Sequence, residues 1–486
     1  MSDVVVIGAG LGGLAAAISL AVAGLDVEVH EAGGAPGGKA GVVRIDGVEV
    51  DTGPSVLTLP DLFDGVLRPA GTTLADEVTL RRPDPAFRYR WPDGTVLDVH
   101  PDREATLASV AATLGAEAAD DLRGFLDQAA RIWEVAAPRF VLAEAPSLGG
   151  LWRTGFGLAR EVATIQPFRS LDALVRGRVR SPHLRDLLGR FATYNGSDPR
   201  RAPATLGCIA HVELTLGGYG VEGGIGALVA ALVRVAEGLG VRIHLDSPVA
   251  RIRTSEGVTG VVLASGREVA ARAVVCNAEV GHLVEDLLPG PAPRSLASGQ
   301  VPSTSGWTAI LRAERRGRVA HEVVFPADYT AEFSDLFDRA RAPSDPAVYL
   351  CAQEVAHGRA GWPEAEPLFV MVNAPPRPDL SAETWVALRD RVLDRLRAQG
   401  RIAPTDRVVW ERNPAGLAAR FAGSRGSLYG AASNGMLAAF QRPPNRVRGV
   451  PGLYLASGSA HPGGGMPLCV QSGHLAARAL LEDSRR

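Results

Sequence analysis

The chain has 486 residues, 46% of them apolar and 21% charged, with a formal charge of −2. That balance belongs to a globular protein of two or three domains; it excludes a disordered, collagen-like or disulfide-rich chain and gives no basic field for nucleic acid. The four cysteines (Cys208, Cys276, Cys351 and Cys469) lie far apart without metal-ligand spacing, so no metal centre and a reducing compartment are expected.

No charge interrupts the chain from Val4 to Leu25, a length that could cross a bilayer. Five glycines fall within it, and Met1-Ser2-Asp3 offers none of the basic residues that precede a secretory signal core. A buried strand, a turn and a packed helix fit better. Val4-Val5-Val6-Ile7 reads as a central parallel strand. Gly8-Ala9-Gly10-Leu11-Gly12-Gly13 then satisfies G-x-G-x-x-G: Gly8 for the tight turn, Gly10 for close approach of a pyrophosphate, Gly13 for packing of helix on sheet. The phosphates would sit on free N–H groups of Gly10, Leu11 and Gly12 at the helix start. Leu14–Leu20 continues the helix and Gly24 ends it, and Val27–Glu31 reads as the second strand. Glu31 follows Gly13 by 18 residues, the place of a ribose-binding acid, and its charge would repel a 2′-phosphate.

A second glycine turn, Ala32-Gly33-Gly34-Ala35-Pro36-Gly37-Gly38-Lys39, would let backbone and one cation approach a cofactor that extends past the first unit. The segment resembles the extended FAD fingerprint of glutathione-reductase and amine-oxidase-like flavoproteins, in which Lys39 stands where arginine is common. Lys39 is the sole lysine among 51 basic residues. FAD is therefore expected, held in part by Gly38 and Lys39.

Downstream, Gly217–Gly224 precedes a helix from Ile225 to Gly238, and short strands follow at Val241–Leu245, Val249–Arg253, Val258–Leu263 and Val269–Cys276. The resemblance implies that Val249, after Ser247-Pro248, meets the adenine through its backbone; a plain core valine is the other reading. Near the end, Leu453–Ala456 reads as a strand and Leu468–Leu481 as a helix, with Gly458–Met466 between them as another cofactor cradle. In the FAD family this loop reaches the flavin, which implicates Gly458, Gly465 and Met466. Ser457 and Ser459 stand where the family often has aspartate. Cofactor segments at 1–64, 211–289 and 436–486 leave 65–210 and 290–435 for an inserted substrate domain. The expected fold is α/β: an FAD-binding Rossmann-like domain with an inserted α+β domain and a helical, membrane-facing part.

Over its full length the chain resembles bacterial carotenoid desaturases of the phytoene-desaturase type. The resemblance rests on the N-terminal fingerprint, Asp51-Thr52-Gly53-Pro54-Ser55-Val56-Leu57-Thr58, and His461-Pro462-Gly463-Gly464-Gly465. Further stretches are closer to the 1-hydroxycarotenoid 3,4-desaturase (methoxyneurosporene dehydrogenase) branch: Trp91–Gly94, Val324-Phe325-Pro326 with Tyr329 and Phe333, Asp345–Gln353, Arg425–Gly430 and Phe440–Pro443. The resemblance implies hydride transfer from an acyclic carotenoid to flavin, with Asp51–Thr58 (Gly53, Pro54 and Ser55 among them) and His461–Met466 near the flavin ring. A polyene delocalises developing charge, so a strong protein base is not required; His461 reads as a structural hydrogen-bonder, and no catalytic residue is assigned. The substrate would come from a membrane and the electrons would pass to quinone or oxygen. Leu151–Arg190 is a candidate docking face, with Arg153, Arg160, Arg169, Arg176, Arg178, Arg180, Arg185 and Arg190 among Trp152, Phe156, Ile165, Phe168 and Leu171. A solvated face over ordinary core residues is the plainer reading of that segment. The expected location is cytoplasmic, peripheral on the inner face of the membrane. Other readings are a phytoene or diapophytoene desaturase, a carotenoid isomerase, an amine oxidase with an aromatic cage, and a non-catalytic prenyl-binding escort.

Overall fold

A computed structural model describes residues 2–146, 157–296, 301–435 and 438–485, with backbone alone at 157–160 and 439. The β-branched run near the start forms the strand Ser2–Ile7, which lies between the parallel strands Val27–His30 and Glu268–Cys276. Arg242–His244 extends the parallel set beyond Val27–His30, and Leu453–Leu455 pairs with the end of Glu268–Cys276. Val258–Leu263 and Val249–Thr254 complete this seven-stranded sheet in antiparallel fashion.

Strand alternation sorts the side chains by face. Val4 and Val6 join Leu14, Ile18, Leu228, Leu232 and Val470 beneath the helices Leu11–Val22, Ile225–Gly238 and Met466–Ser484. Val5 and Ile7 turn to the opposite core with Ile252, Val261, Val274 and Leu283. The uncharged run Val4–Leu25 is thus strand, turn and helix, and no helix among the described residues is long and apolar enough to cross a membrane. The strand ends Ile7, His30, Cys276 and Leu455 all point one way, so Gly8, Glu31, Asn277 and Ala456 emerge along one edge. In an open parallel sheet that edge is where ligands bind.

The second sheet runs in the order Arg407–Arg412, Ser305–Ala313, Glu366–Ala374, Val348–Ala352, His321–Val324, Phe87–Arg90, Val96–Val99. All its neighbours are antiparallel except His321–Val324 with Phe87–Arg90. The helix Ala382–Ala398 covers it through Trp385, Leu388 and Val392. A helical layer including Ala116–Phe140, Leu171–Arg176 and Pro182–Gly189 packs near Phe87, Tyr89 and Phe325.

Candidate active site

One cavity of about 1210 Å³ follows the carboxyl edge of the parallel sheet and continues between the second sheet and the helical layer. At its polar end, Gly8 takes φ +95°, closed to most side chains, and turns the chain into the helix Leu11–Val22. That helix begins at Gly10 with no side-chain cap and no acid in its first turn. Its N–H groups at Leu11 and Gly12 border the cavity and suit an anion, whereas that of Gly10, expected to be free, is taken by the Asn277 side chain. Gly13 does not line the cavity; a Cβ there would collide with Gly8 O, so it serves the close approach of helix to strand.

Glu31 stands just after the second strand, where its Oε2 accepts from Ala9 N and its Oε1 from Gly33 N, both at 2.8 Å. These bonds fix the carboxylate at the cavity wall, which Val249 and Pro248 share. Gly38 and Lys39 also border the cavity. Lys39 Nζ is engaged elsewhere: it pairs with Glu279 at 2.6 Å and donates to Ser427 O (3.1 Å) and Leu428 O (2.8 Å). Three partners use its three donors, so it ties the 427–428 segment to the glycine turn.

The stretch from Asp51 to Thr58 divides. Gly53, Pro54, Ser55, Val56 and Thr58 face the cavity, whereas Asp51 and Leu57 turn away. Asp51 accepts from Ile225 N (2.8 Å), Gly226 N (3.1 Å) and Arg359 Nη1 (2.9 Å), capping the helix Ile225–Gly238 from inside the protein. At the other end of the chain, Gly465 (φ +106°) starts the helix Met466–Ser484, again with no side-chain cap and no first-turn acid. Ser457, Gly458, Gly464, Gly465 and Met466 line the cavity. Ser459 does not; its hydroxyl accepts from Val280 N at 2.9 Å and meets Ser457 Oγ at 3.0 Å.

Sequence reading missed two residues here. Asn277 Oδ1 accepts from Gly10 N at 3.0 Å and its Nδ2 donates to Ala456 O, joining the first glycine turn to the last strand. Its signal was present: a polar residue placed directly after a buried parallel strand. Arg442 lies beside Gly463 with Nη2 on Ala431 O (2.8 Å) and a buried Nη1 without a partner. Burial lowers that guanidinium to about 10. Two uncapped helix starts, a fixed ribose-type acid and an unsatisfied buried cation fit the phosphates, ribose and flavin of FAD.

The rest of the cavity is mainly apolar and aromatic, with Trp133, Phe140, Val162, Ile209, Phe369, Met371 and Tyr429 among its walls. Ser55 lies against Tyr349 and Cys351, and Tyr349 Oη meets His321 Nδ1 at 2.8 Å. Burial drives His321 down to about 3 and His461 down to about 4, so both are neutral near pH 7. His461 Nε2 donates to Ala143 O at 2.9 Å, in accord with a structural role.

Arg190, read as part of a basic outer face, is buried and lines the cavity. Ile165 and Leu171 are core residues as well. Arg176 pairs with Asp172, and Arg180 with Asp121 and Glu117, which reduces the net charge of that face. Phe168 is 77% exposed at the cavity rim, and Leu142 is 43% exposed. Trp152, Arg153, Phe156 and the Arg160 side chain lie outside the described residues. Away from the cysteines, Glu28, His30 and His244 bring potential ligand atoms within 4.8 Å of one another, although Arg242 already neutralises Glu28 at 3.0 Å.

The parallel sheet, its paired anion cradle and the adjoining apolar chamber have the architecture of an FAD-binding oxidoreductase of the amine-oxidase type. The chain belongs to the flavin containing amine oxidoreductase family, whose profile matches residues 11–481. It is an FAD enzyme. Among its relatives, hydroxyneurosporene desaturase of Rhodobacter capsulatus is 37% identical over 99% of this chain and 98% of its own length. The 4,4′-diapolycopene oxygenase of Methylomonas is 34% identical, covering 99% and 98%. The carotenoid 3,4-desaturase of Haloarcula japonica is 30% identical with the same coverage. Putrescine oxidase bound to putrescine has the same fold at 19% identity, with a TM-score of 0.62 over 100% of this chain and 99% of that one.

Proposed function

We propose that the protein desaturates C3–C4 of an acyclic 1-hydroxy or 1-methoxy carotenoid. The observation that carries this reading is the continuity of the FAD cradle with a large, mainly apolar chamber, within a chain related along its whole length to carotenoid desaturases. In this reading residues 1–64, 211–289 and 436–486 form the cofactor domain, and 65–210 and 290–435 the substrate domain. Leu11, Gly12, Gly465 and Met466 hold the cofactor's phosphates and flavin through backbone N–H groups, Gly10 lets the chain approach them closely, Glu31 holds the ribose and Val249 the adenine. Gly38, Lys39, Gly53, Pro54, Ser55 and Gly458 complete the wall, while Gly8 and Gly13 set the turn.

FAD held there would supply the two-electron acceptor for a hydride from one of C3 and C4, a proton would leave the other as the C3–C4 double bond forms, and quinone or oxygen would take the electrons on. The protein's part is placement. Phe369, Met371, Tyr349 and Tyr429 hold the polyene against the cradle and exclude water. With His461 and His321 only weakly basic, no strong base is arranged there, as suits a substrate that delocalises charge. The Arg190 guanidinium in the chamber wall opposes a protonated amine, which sets the amine-oxidase reading aside. The exposed Phe168 at the rim supports peripheral contact with the inner membrane leaflet, from which a carotenoid could enter.

The test follows the visible absorption of a 1-hydroxylated acyclic carotenoid and of its unhydroxylated parent, each incubated with the holoenzyme, membranes and quinone. A red shift with the hydroxylated compound is expected. No shift with either, despite bound flavin, would refute desaturation, and an oxygen-containing product would favour the oxygenase activity named for the Methylomonas relative.

A further inference from the structure

We infer that Arg190, Tyr194 and Tyr329 form the subsite that receives the oxygen at the end of the substrate. This rests on the desaturase reading and adds to it the residues that tell an oxygenated end from a bare isoprenoid one. Arg190 is 8% exposed, and its guanidinium borders the chamber. Its hydrogen bonds are long, 3.5 Å from Nη1 to Tyr89 Oη and 3.5 Å from Nη2 to Tyr194 Oη. The guanidinium carbon stands 5.7, 5.8 and 5.2 Å from the ring centres of Phe87, Tyr89 and Tyr194. Among the described residues it forms no ion pair; the neighbouring carboxyl, Glu213, is engaged by the Tyr194 hydroxyl. Glu213 lends it charge from a distance, but a buried cation with no carboxylate in direct contact is expensive to maintain unless something completes it.

An unpartnered hydroxyl faces the same space. Tyr329 is buried, lines the chamber and has no partner for its hydroxyl. Arg190 can only donate, whereas Tyr329 can donate or accept. Together they match an alcohol, which accepts from the guanidinium and exchanges a hydrogen bond with the phenol. An ether satisfies the acceptor role alone. A cationic end is repelled, and a carboxylate would have to sit beside Glu213.

The position suits the chemistry. Ring contacts lead from Gly53, where a Cβ would lie 3.2 Å from Phe369, through Tyr349, His321 and Phe87 to Arg190. The Arg190 charge is felt at both Tyr349 and Tyr429, which touch the cradle at Ser55 and Gly464. A C1 oxygen is only a few bonds from C3 and C4, so anchoring it here would set which carbons meet the flavin.

The experiment compares kcat/KM for the 1-hydroxylated carotenoid and its unhydroxylated parent in wild type, Tyr329→Phe and Arg190→Met holoenzymes. Tyr329→Phe deletes a hydroxyl that bonds nothing in the fold, and Arg190→Met keeps an apolar stem of similar reach, so flavin content and Tm serve as folding controls. The hydroxyl preference should fall about fivefold in Tyr329→Phe and about thirtyfold in Arg190→Met, as expected for a neutral and a charge-assisted hydrogen bond. The loss should fall mainly on KM. An unchanged preference in both folded variants overturns the subsite while leaving desaturation standing. Equal use of both substrates by wild type also overturns it, and conversion of neither overturns the desaturase reading with it.

Discussion

Gly473 marks a close crossing of two helices in the cofactor half, and replacing it with alanine tests how far the cradle depends on helix spacing. The glycine is buried in Met466–Ser484 where that helix meets Leu11–Val22. A Cβ at Gly473 would lie 2.8 Å from Ala16 N and 2.9 Å from Ala15 Cβ, and would collide with Gly12 O. Carbon contacts are comfortable near 3.5–4.0 Å, so the helices must part by about 0.6–1 Å. Overpacking of that kind costs about 1–3 kcal/mol. The displaced backbone includes Gly12, so FAD should dissociate at least tenfold more readily. Gly124→Ala is the control: this helical glycine is exposed with nothing within 4 Å of a new Cβ, and the change should stabilise by about 0.5–1 kcal/mol. Urea unfolding and flavin fluorescence titration read both quantities. Wild-type stability and wild-type FAD affinity in Gly473→Ala would refute the reasoning.

Glu31→Gln keeps the shape of the side chain but exchanges one acceptor oxygen for a donor facing Ala9 N or Gly33 N; equilibrium dialysis should show FAD binding weakened about tenfold or more. Asp51→Ala removes the cap of Ile225–Gly238 and leaves the buried Arg359 only the exposed Glu49 at 3.6 Å, so denaturant unfolding should show a loss of about 3 kcal/mol. Stability should also fall on acidification. His30 and His461 are held down to about 4 and His321 to about 3, each mainly by burial. Their stabilisation is complete above the unfolded value near 6.5 and is lost as pH falls from there toward 4, because the unfolded chain takes up protons that the fold refuses. Each contributes up to about 1.4 kcal/mol per pH unit, offset in part by buried Glu332, whose carboxyl, raised to about 7, is protonated in the fold before it is in the unfolded chain; unfolding at pH 7 and pH 5 should differ by about 3 kcal/mol, and greater stability at pH 5 would contradict neutral burial of the histidines.

The cofactor half was readable because its constraints act on the backbone. A β-branched run, glycines at fixed intervals and an acid at the next strand end leave few alternatives, and the helix Ile225–Gly238 has the bounds its sequence indicated. What escaped depended on partners distant in sequence. Asp51 looked like part of a cofactor motif, yet its carboxylate serves residues 225, 226 and 359. Taking Leu151–Arg190 as a basic face treats every arginine there as exposed, whereas a helix buries one side. Leu187-Leu188 before Arg190 and Phe191-Ala192 after it were the local sign that this arginine turns inward.

The position of Ser2–Ile7 between Val27–His30 and Glu268–Cys276 has a consequence for synthesis. At about 5–20 residues per second, the ribosome needs roughly 15–55 s after making the first strand to produce its second neighbour. Through that interval one edge of an apolar strand waits without its native partner, open to chaperones or to wrong pairing. The last wall of the cradle, Gly458–Met466, comes later still. Flavin can therefore be fully enclosed only once residue 466 has been made, and its capture becomes a late check on assembly of this half.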